Sequence, residues 1–150
     1  FLMRISMGYP DHQAEVTMLA GAPTGAMLDT MPPVMGREDL ARMIDFAQRL
    51  HVASPLYDYL VRVVAATRDH PDLRLGASPR AGIALLRAAR VRAAAAGRSY
   101  IVPEDVKALA VPVIAHRLIV TPEAELRGRS GADVVGEALQ KVPTPQAAGV

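Results

Sequence analysis

Residues 76–105 read GASPRAGIALLRAARVRAAAAGRSYIVPED. The stretch opens and closes on turn residues and holds one unbroken helical sequence between them. Ser78 is a residue type that caps helices, and Pro79 suits the first helical position, where its missing N–H would be unsatisfied anyway. Alanine, leucine and arginine are strong helix formers and carry the helix over residues 79–96. Gly97 ends it, because glycine accepts the left-handed backbone of a C-terminal cap. At about 100° per residue, Ala81, Gly82, Ala84, Leu85, Ala88, Ala89 and Val91 share one small apolar side. Such a side lets a second helix come close. Arg80, Arg87 and Arg98 fall along one line, while Arg92 points elsewhere. Arg80 sits in the first turn, where a positive charge is mildly unfavourable with the helix dipole, so a compensating use is expected. A guanidinium held at a helix start suits a phosphate, which it grips through two parallel hydrogen bonds.

The same punctuation recurs on either side. Ser54-Pro55 begin a helix expected over residues 54–70, closed by Pro71, with Leu56, Leu60, Val63 and Val64 as its core stripe. Pro103 opens another, with Glu104 and Asp105 in the first turn. Val102 stands where Ser or Thr is the usual cap, which weakens that start by about 1 kcal/mol. Pro112 either kinks this helix or begins a new one ending near Arg117. Residues 117–129 read as extended, then looped. Ser130 with Asp133 makes an approximate capping box for a last helix to about Gln140. Upstream, Leu40, Met43, Ile44 and Ala47 follow helical spacing over residues 37–50. Val16, Leu19 and Ala20 form the inward side of a short helix over residues 11–20. Between these lies a Pro- and Gly-rich loop, 21–36, with Val34 and Met35 expected to tuck into the body. Residues 2–8 alternate as a strand without a neighbour, expected to fray, dock elsewhere or drive association.

The composition bounds what such a chain does. With 150 residues it is one domain's worth and buries a real core. Half of it is hydrophobic, chiefly Ala, Val and Leu, so the expected fold is all-α: a small helical bundle preceded by one orphan β-strand. There is no cysteine, hence no disulfide framework. No apolar run reaches the roughly 20 residues that span a bilayer. The net charge of +2 is too small for a non-specific nucleic-acid binder. His12, His51, His70 and His116 show no metal-ligand spacing, so no metal site is expected. Neither G-x-S-x-G nor H-E-x-x-H occurs.

Four pieces in order resemble the C-terminal lid of MoxR-type AAA+ ATPases. FLMRISMGYP at residues 1–10 is similar to the end of the ATPase core and the entry to the lid. YLVRVVAATR at 59–68 resembles the helix before the sensor-2 region, residues 76–105 resemble that region itself, and VPEDVKALAVPVIAHRL at 102–118 resembles the helix after it. The resemblance implies that residues 1–9 are the end of the core, 10–36 a connecting helix and loop, 37–141 the helical lid and 142–150 a tail. It implies that Arg80 is the sensor-2 arginine, contacting the γ-phosphate of ATP bound in the neighbouring core domain. Tyr9 and Pro10 lie where core meets lid, as a hinge and part of the base pocket. Thr67-Arg68 recurs in the family pattern without an assigned role, although Arg68 at a helix end favours the dipole.

The chain contains no G-x-x-x-x-G-K-[ST] phosphate loop and no apolar run ending in acidic residues to hold magnesium. It opens at Phe1 inside the expected strand, so it reads as the C-terminal part of a longer protein. The family's arginine finger would precede Phe1; Arg4 does not match it. ATP or ADP, with magnesium from the core domain, is the implied cofactor. The implied partners are that core, the neighbouring subunits of a six-membered ring, and a protein client. The implied activity is cytoplasmic, chaperone-like remodelling of protein complexes driven by ATP hydrolysis, with this stretch inactive alone. Two other readings stand beside it: a free-standing helical adaptor, and a nucleic-acid-binding domain using residues 79–96 as a recognition helix.

Overall fold

Proline decides where most of the helices begin. The structure, a computed structural model, describes residues 1–21 and 30–145, so the middle of the 21–36 loop and the end of the tail lie outside it. Seven α-helices form among the described residues: α1 (His12–Ala20), α2 (Arg37–Arg49), α3 (Ser54–Ala66), α4 (Pro79–Ala95), α5 (Pro103–Ile114), α6 (Pro122–Leu126) and α7 (Gly131–Lys141). Helices α3 to α6 each carry proline at the first or second position, where no intrahelical bond is lost. Gly97 adopts φ +71°, as a glycine ending α4 should.

The chain divides into two units, Phe1–Arg4 with Ile44–Val150, and Ile5–Met43. The boundary expected at residue 37 is the start of α2, and the larger unit takes that helix from Ile44 onward. In the larger unit α4 packs between α3 and α5, and α7 packs on α5. The expected stripes of α3 and α4 are inside: Leu56, Leu60, Val63 and Val64 from one, Ala81, Ala84, Leu85, Ala88 and Ala89 from the other. Alanine is small enough for α4 to approach both neighbours closely. Val91 is the exception, exposed at the edge of that face.

Several local expectations are corrected. Ser54 is the first residue of α3 and Ala53 its cap, and α3 stops at Ala66, short of His70. Pro112 begins no new helix: it lies inside α5, which runs to Ile114 and tightens into a 3-10 turn, Ala115–Arg117. Downstream, a two-residue strand β2 (Ile119–Val120) pairs antiparallel with β1 (Leu73–Leu75), and Thr121 caps the unexpected α6. Residues 1–10 make no ladder and no regular structure. Phe1–Arg4 is held in the larger unit instead, with the Arg4 N–H donating to the Pro112 carbonyl at 2.8 Å. The Ser130–Asp133 capping box of α7 forms as expected.

In the smaller unit Asp11 caps α1, accepting from the Ala14 N–H at 2.7 Å. Yet α1 has no buried residue, and Val16 and Leu19 are exposed. Val34, Met35, Leu40 and Met43 are exposed too, as is Ile44 across the division; of the α2 stripe Ala47 alone is buried. Periodicity marks a face that a helix is able to bury; it does not supply the surface that covers it.

Candidate functional site

Arg80 is the second residue of α4 and is exposed. It lines a cleft of about 310 Å³ with Phe1, Leu2, Ile83, Ala84, Arg87 and Arg117. Among the described residues neither Arg80 nor Arg87 has a hydrogen-bond or ion-pair partner. Arg117 differs. Its Nε donates to the Val113 carbonyl at 2.9 Å, and its Nη2 to the Phe1 and Leu2 carbonyls at 2.6 and 3.2 Å. One guanidinium therefore holds the wall of the cleft while two others, seven residues apart on one helix, face it without a counter-charge. The first-turn N–H groups of α4 add partial positive charge at the same end. Chemically this is a place for an oxyanion, and a guanidinium fork matches a phosphate.

Beneath Arg80 the chain is clasped from behind. Thr67 is fully buried at the end of α3. Its hydroxyl donates to the Val64 carbonyl at 2.7 Å and accepts from the Ala77 N–H at 2.9 Å. The Arg68 Nε donates to the Ala77 carbonyl at 2.9 Å. Both backbone groups of one buried residue, three before Arg80, are thus held by neighbouring side chains. Gly76 makes room for this: a Cβ there would stand 2.6 Å from the Arg68 Cα and 2.7 Å from the Thr67 carbonyl oxygen. Ser78 is the N-cap of α4, but its side chain makes no capping bond. The start of α4 is therefore held through Ala77 rather than by the expected serine cap.

The far end of α4 uses its arginines differently. Arg98 donates twice to the buried Asp105 carboxylate, at 2.8 and 2.7 Å, and the Arg92 Nε lies 3.4 Å from it. Asp105 also accepts from the Val102 N–H at 3.0 Å. That bond is the half of a capping box that runs from the third position back to the Val102 N–H, and it secures the start of α5 although valine supplies no cap. Burial pushes the Asp105 carboxyl up, but the Arg98 bonds, the Val102 N–H and the charges of Arg98 and Arg92 outweigh it and hold it below the usual carboxylate range. The line of Arg80, Arg87 and Arg98 is thus split: the first two face the cleft, and Arg98 joins Arg92 on Asp105.

A second ionic group ties the turn after α3 to the C-terminal helices. Asp72 accepts from Arg127 and Arg129 at 2.7 and 2.9 Å. Glu137 pairs with Arg129 and, at 3.0 Å, with His70. Tyr9 and Pro10 belong to the smaller unit, where both are exposed. Among the described residues no group of three or more acidic or histidine side chains is placed to hold a metal ion, and no helix is long and apolar enough to cross a membrane. The roles of Asp105 and Thr67 escaped the sequence reading. The signal for Asp105 was its place as third residue of a helix whose cap is valine; for Thr67 it was a threonine facing a glycine loop.

Residues 65–138 match the AAA lid domain family. The chain is 34% identical over 159 aligned positions to Chaperone MoxR1 of Mycobacterium tuberculosis, covering 97% of this chain and 41% of that protein. It is 44% identical over 97 positions to Protein MoxR of Methylorubrum extorquens, covering 60% and 28%. The crystal structure of a protein from Cytophaga hutchinsonii, proposed to be an ATPase, superposes with a TM-score of 0.85 at 26% identity, covering 97% of this chain and 47% of the other. This chain is a MoxR-type AAA+ lid region. It spans less than half the length of the relatives it matches. The family match runs from the end of α3 through most of α7, and so includes the Thr67–Arg68 clasp, Arg80, Arg87, Asp105 and Arg117 of this lid.

Proposed function

We propose that this lid supplies sensor 2 to a MoxR-type AAA+ ATPase, with Arg80 contacting the γ-phosphate of ATP bound in a core domain of the same protein. The observation that carries it is the state of Arg80: placed in the first turn of α4, facing the same cleft as Arg87, with no partner of its own among the described residues. With the third phosphate present the guanidinium has a charge-assisted partner and the lid closes. After hydrolysis that partner is gone and the lid swings. Magnesium and the attacking water belong to the core. Tyr9 and Pro10 serve as the hinge and flank the base. Neighbouring subunits of a ring, six in a closed assembly, couple this movement to chaperone-like remodelling of protein complexes in the cytoplasm.

Engagement of Arg92 and Arg98 on Asp105 speaks against α4 as a nucleic-acid recognition helix, because one of its four arginines and the arginine just beyond its end already share a carboxylate. The test is Arg80→Ala in the complete ATPase. Loss of turnover together with weakened binding of a non-hydrolysable ATP analogue, and little change in ADP affinity, is expected. Unchanged turnover, or ATP hydrolysis by residues 1–150 alone, ends this assignment.

A further inference from the structure

The Thr67–Arg68 pair has no assigned chemistry, and its geometry points to one task. We infer that Thr67 and Arg68 are positioning residues that set where Arg80 stands, by clamping the peptide groups of Ala77. The inference rests on the sensor-2 reading of Arg80 and adds the device that makes that residue accurate.

Three observations meet here. First, the N–H and the carbonyl of Ala77 are both taken by the pair, the N–H by the buried Thr67 hydroxyl at 2.9 Å and the carbonyl by the Arg68 Nε at 2.9 Å. The Thr67 hydroxyl is itself oriented, because it donates to the Val64 carbonyl at 2.7 Å; its remaining lone pairs face the Ala77 N–H. Second, the loop is seated on α3 with no room to shift, since any Cβ on Gly76 would collide with the backbone of Thr67 and Arg68. Third, the local device that normally fixes a helix start is unused: the Ser78 side chain makes no capping bond. A helix start left to itself frays within its first turn. Arg80 lies in that turn. Fixing Ala77 to α3 makes the first turn of α4 part of the lid's core.

Arg68 is not a second phosphate ligand in the same cleft. Its side chain lines a different, apolar groove, with Tyr57, Leu60, Val61 and Pro79. Arg80 opens into the cleft lined by Phe1, Leu2, Arg87 and Arg117. The effect of Arg68 on nucleotide therefore passes through the backbone of Ala77.

The experiment uses the complete ATPase and reads the ratio of affinities for AMP-PNP and ADP, so that a general loss of binding cancels. Arg80→Ala is expected to reduce that ratio by about tenfold or more, the loss of a charge-assisted contact to one phosphate. Thr67→Val, which keeps shape and removes the hydroxyl, and Arg68→Ala are each expected to reduce it by about three- to tenfold. Thr67→Ser should restore it. In an Arg80→Ala background neither change should reduce the ratio further, because the group they position is gone. A merely structural role gives the opposite pattern: lower melting temperature, an intact ratio, and losses that add to those of Arg80→Ala. If Arg80→Ala lowers the ratio while Arg68→Ala leaves it at the native value, the positioning role is wrong and sensor 2 stands. If Arg80→Ala itself leaves the ratio unchanged, the sensor-2 reading fails and the positioning role with it. Should Thr67→Val not fold, Arg68→Ala decides alone, since Arg68 is an exposed residue outside the hydrophobic core.

Discussion

The two ends of α4 hold the same residue type in opposite states. Near the start, Arg80 and Arg87 face a cleft with no counter-charge. Near the end, Arg92 and Arg98 converge on one buried carboxylate. α4 and the turn that ends it thus carry one pair of arginines without a partner and one pair engaged on a carboxylate. The difference lies in what the next segments bring to each end: Phe1 and Leu2, whose carbonyls are already taken by Arg117, at one, and Asp105 at the other. An idle cation on a rigid mount is available for a ligand; an engaged one is not.

The comparison breaks most sharply if the idle end proves to matter for folding. On the sensor-2 reading, Arg80→Ala in the complete protein is expected to lower ATP turnover by about a hundredfold, the scale of removing one preorganised donor from a transition state. The same change should alter the unfolding free energy of residues 1–150 by less than about 0.5 kcal/mol, as for an exposed side chain without partners. Denaturant titration checks the second figure and steady-state hydrolysis the first. Asp105→Asn tests the engaged end in reverse. It should destabilise the lid by about 2 kcal/mol, the scale of losing hydrogen bonds to a charged group. The AMP-PNP to ADP affinity ratio should stay at the native value. A lost ratio with unchanged stability would invert the assignment of the two ends.

The same pair gives the acid limb of stability a definite sign. Asp105 has a lowered folded pKa, as do Glu137, held by the His70 and Arg129 bonds, and Asp72, held chiefly by the Arg129 bond. A depressed carboxylate contributes stability that is complete above its unfolded pKa of about 4 and is lost as pH falls through the folded value. Melting temperature should therefore hold from neutral pH down to about 5 and drop below about 4. In Asp105→Asn that drop should be shallower. An equally steep drop would remove Asp105 from the account.

The smallest effects sharpen the contrast between the helix starts. Ser130→Ala removes a working capping box from α7 and should cost about 1 kcal/mol. Ser78→Ala removes a side chain that caps nothing and should cost less than about 0.5 kcal/mol. Equal costs would mean that Ala77 is not what holds α4.

Much of the bundle was legible in local chemistry. The Ser-Pro and Val-Pro starts, Gly97, the Ser130–Asp133 box and the stripes of α3 and α4 each depend on residues within a turn or two of one another, where sequence spacing is spatial spacing. Legibility failed where a partner had to come from far away. Leu40, Met43 and Ile44 carry a good helical pattern and stay exposed, while Ala47, in the same pattern, is covered. The β1–β2 pair joins residues from either side of α4 and α5, and no local rule announces it. Of the site, Arg80 was legible as a cation on a helix start, and Arg87 as its neighbour along one line. That Arg98 leaves that line for Asp105, and that Thr67 and Arg68 reach Ala77, was not.

Propensity, capping and periodicity are local free energies, so the amino-acid order by itself determined that this chain would be helical, where α4 begins and ends, and which side of it is small enough to bury. Whether a given arginine is neutralised or left open to a ligand depends on charges and carbonyls delivered by distant segments. A hydrogen-bonded ion pair needs its partners within about 3 Å, so only the packing of α3, α4 and α5 could decide that Arg98 is held by a carboxylate and Arg80 faces the cleft unpaired.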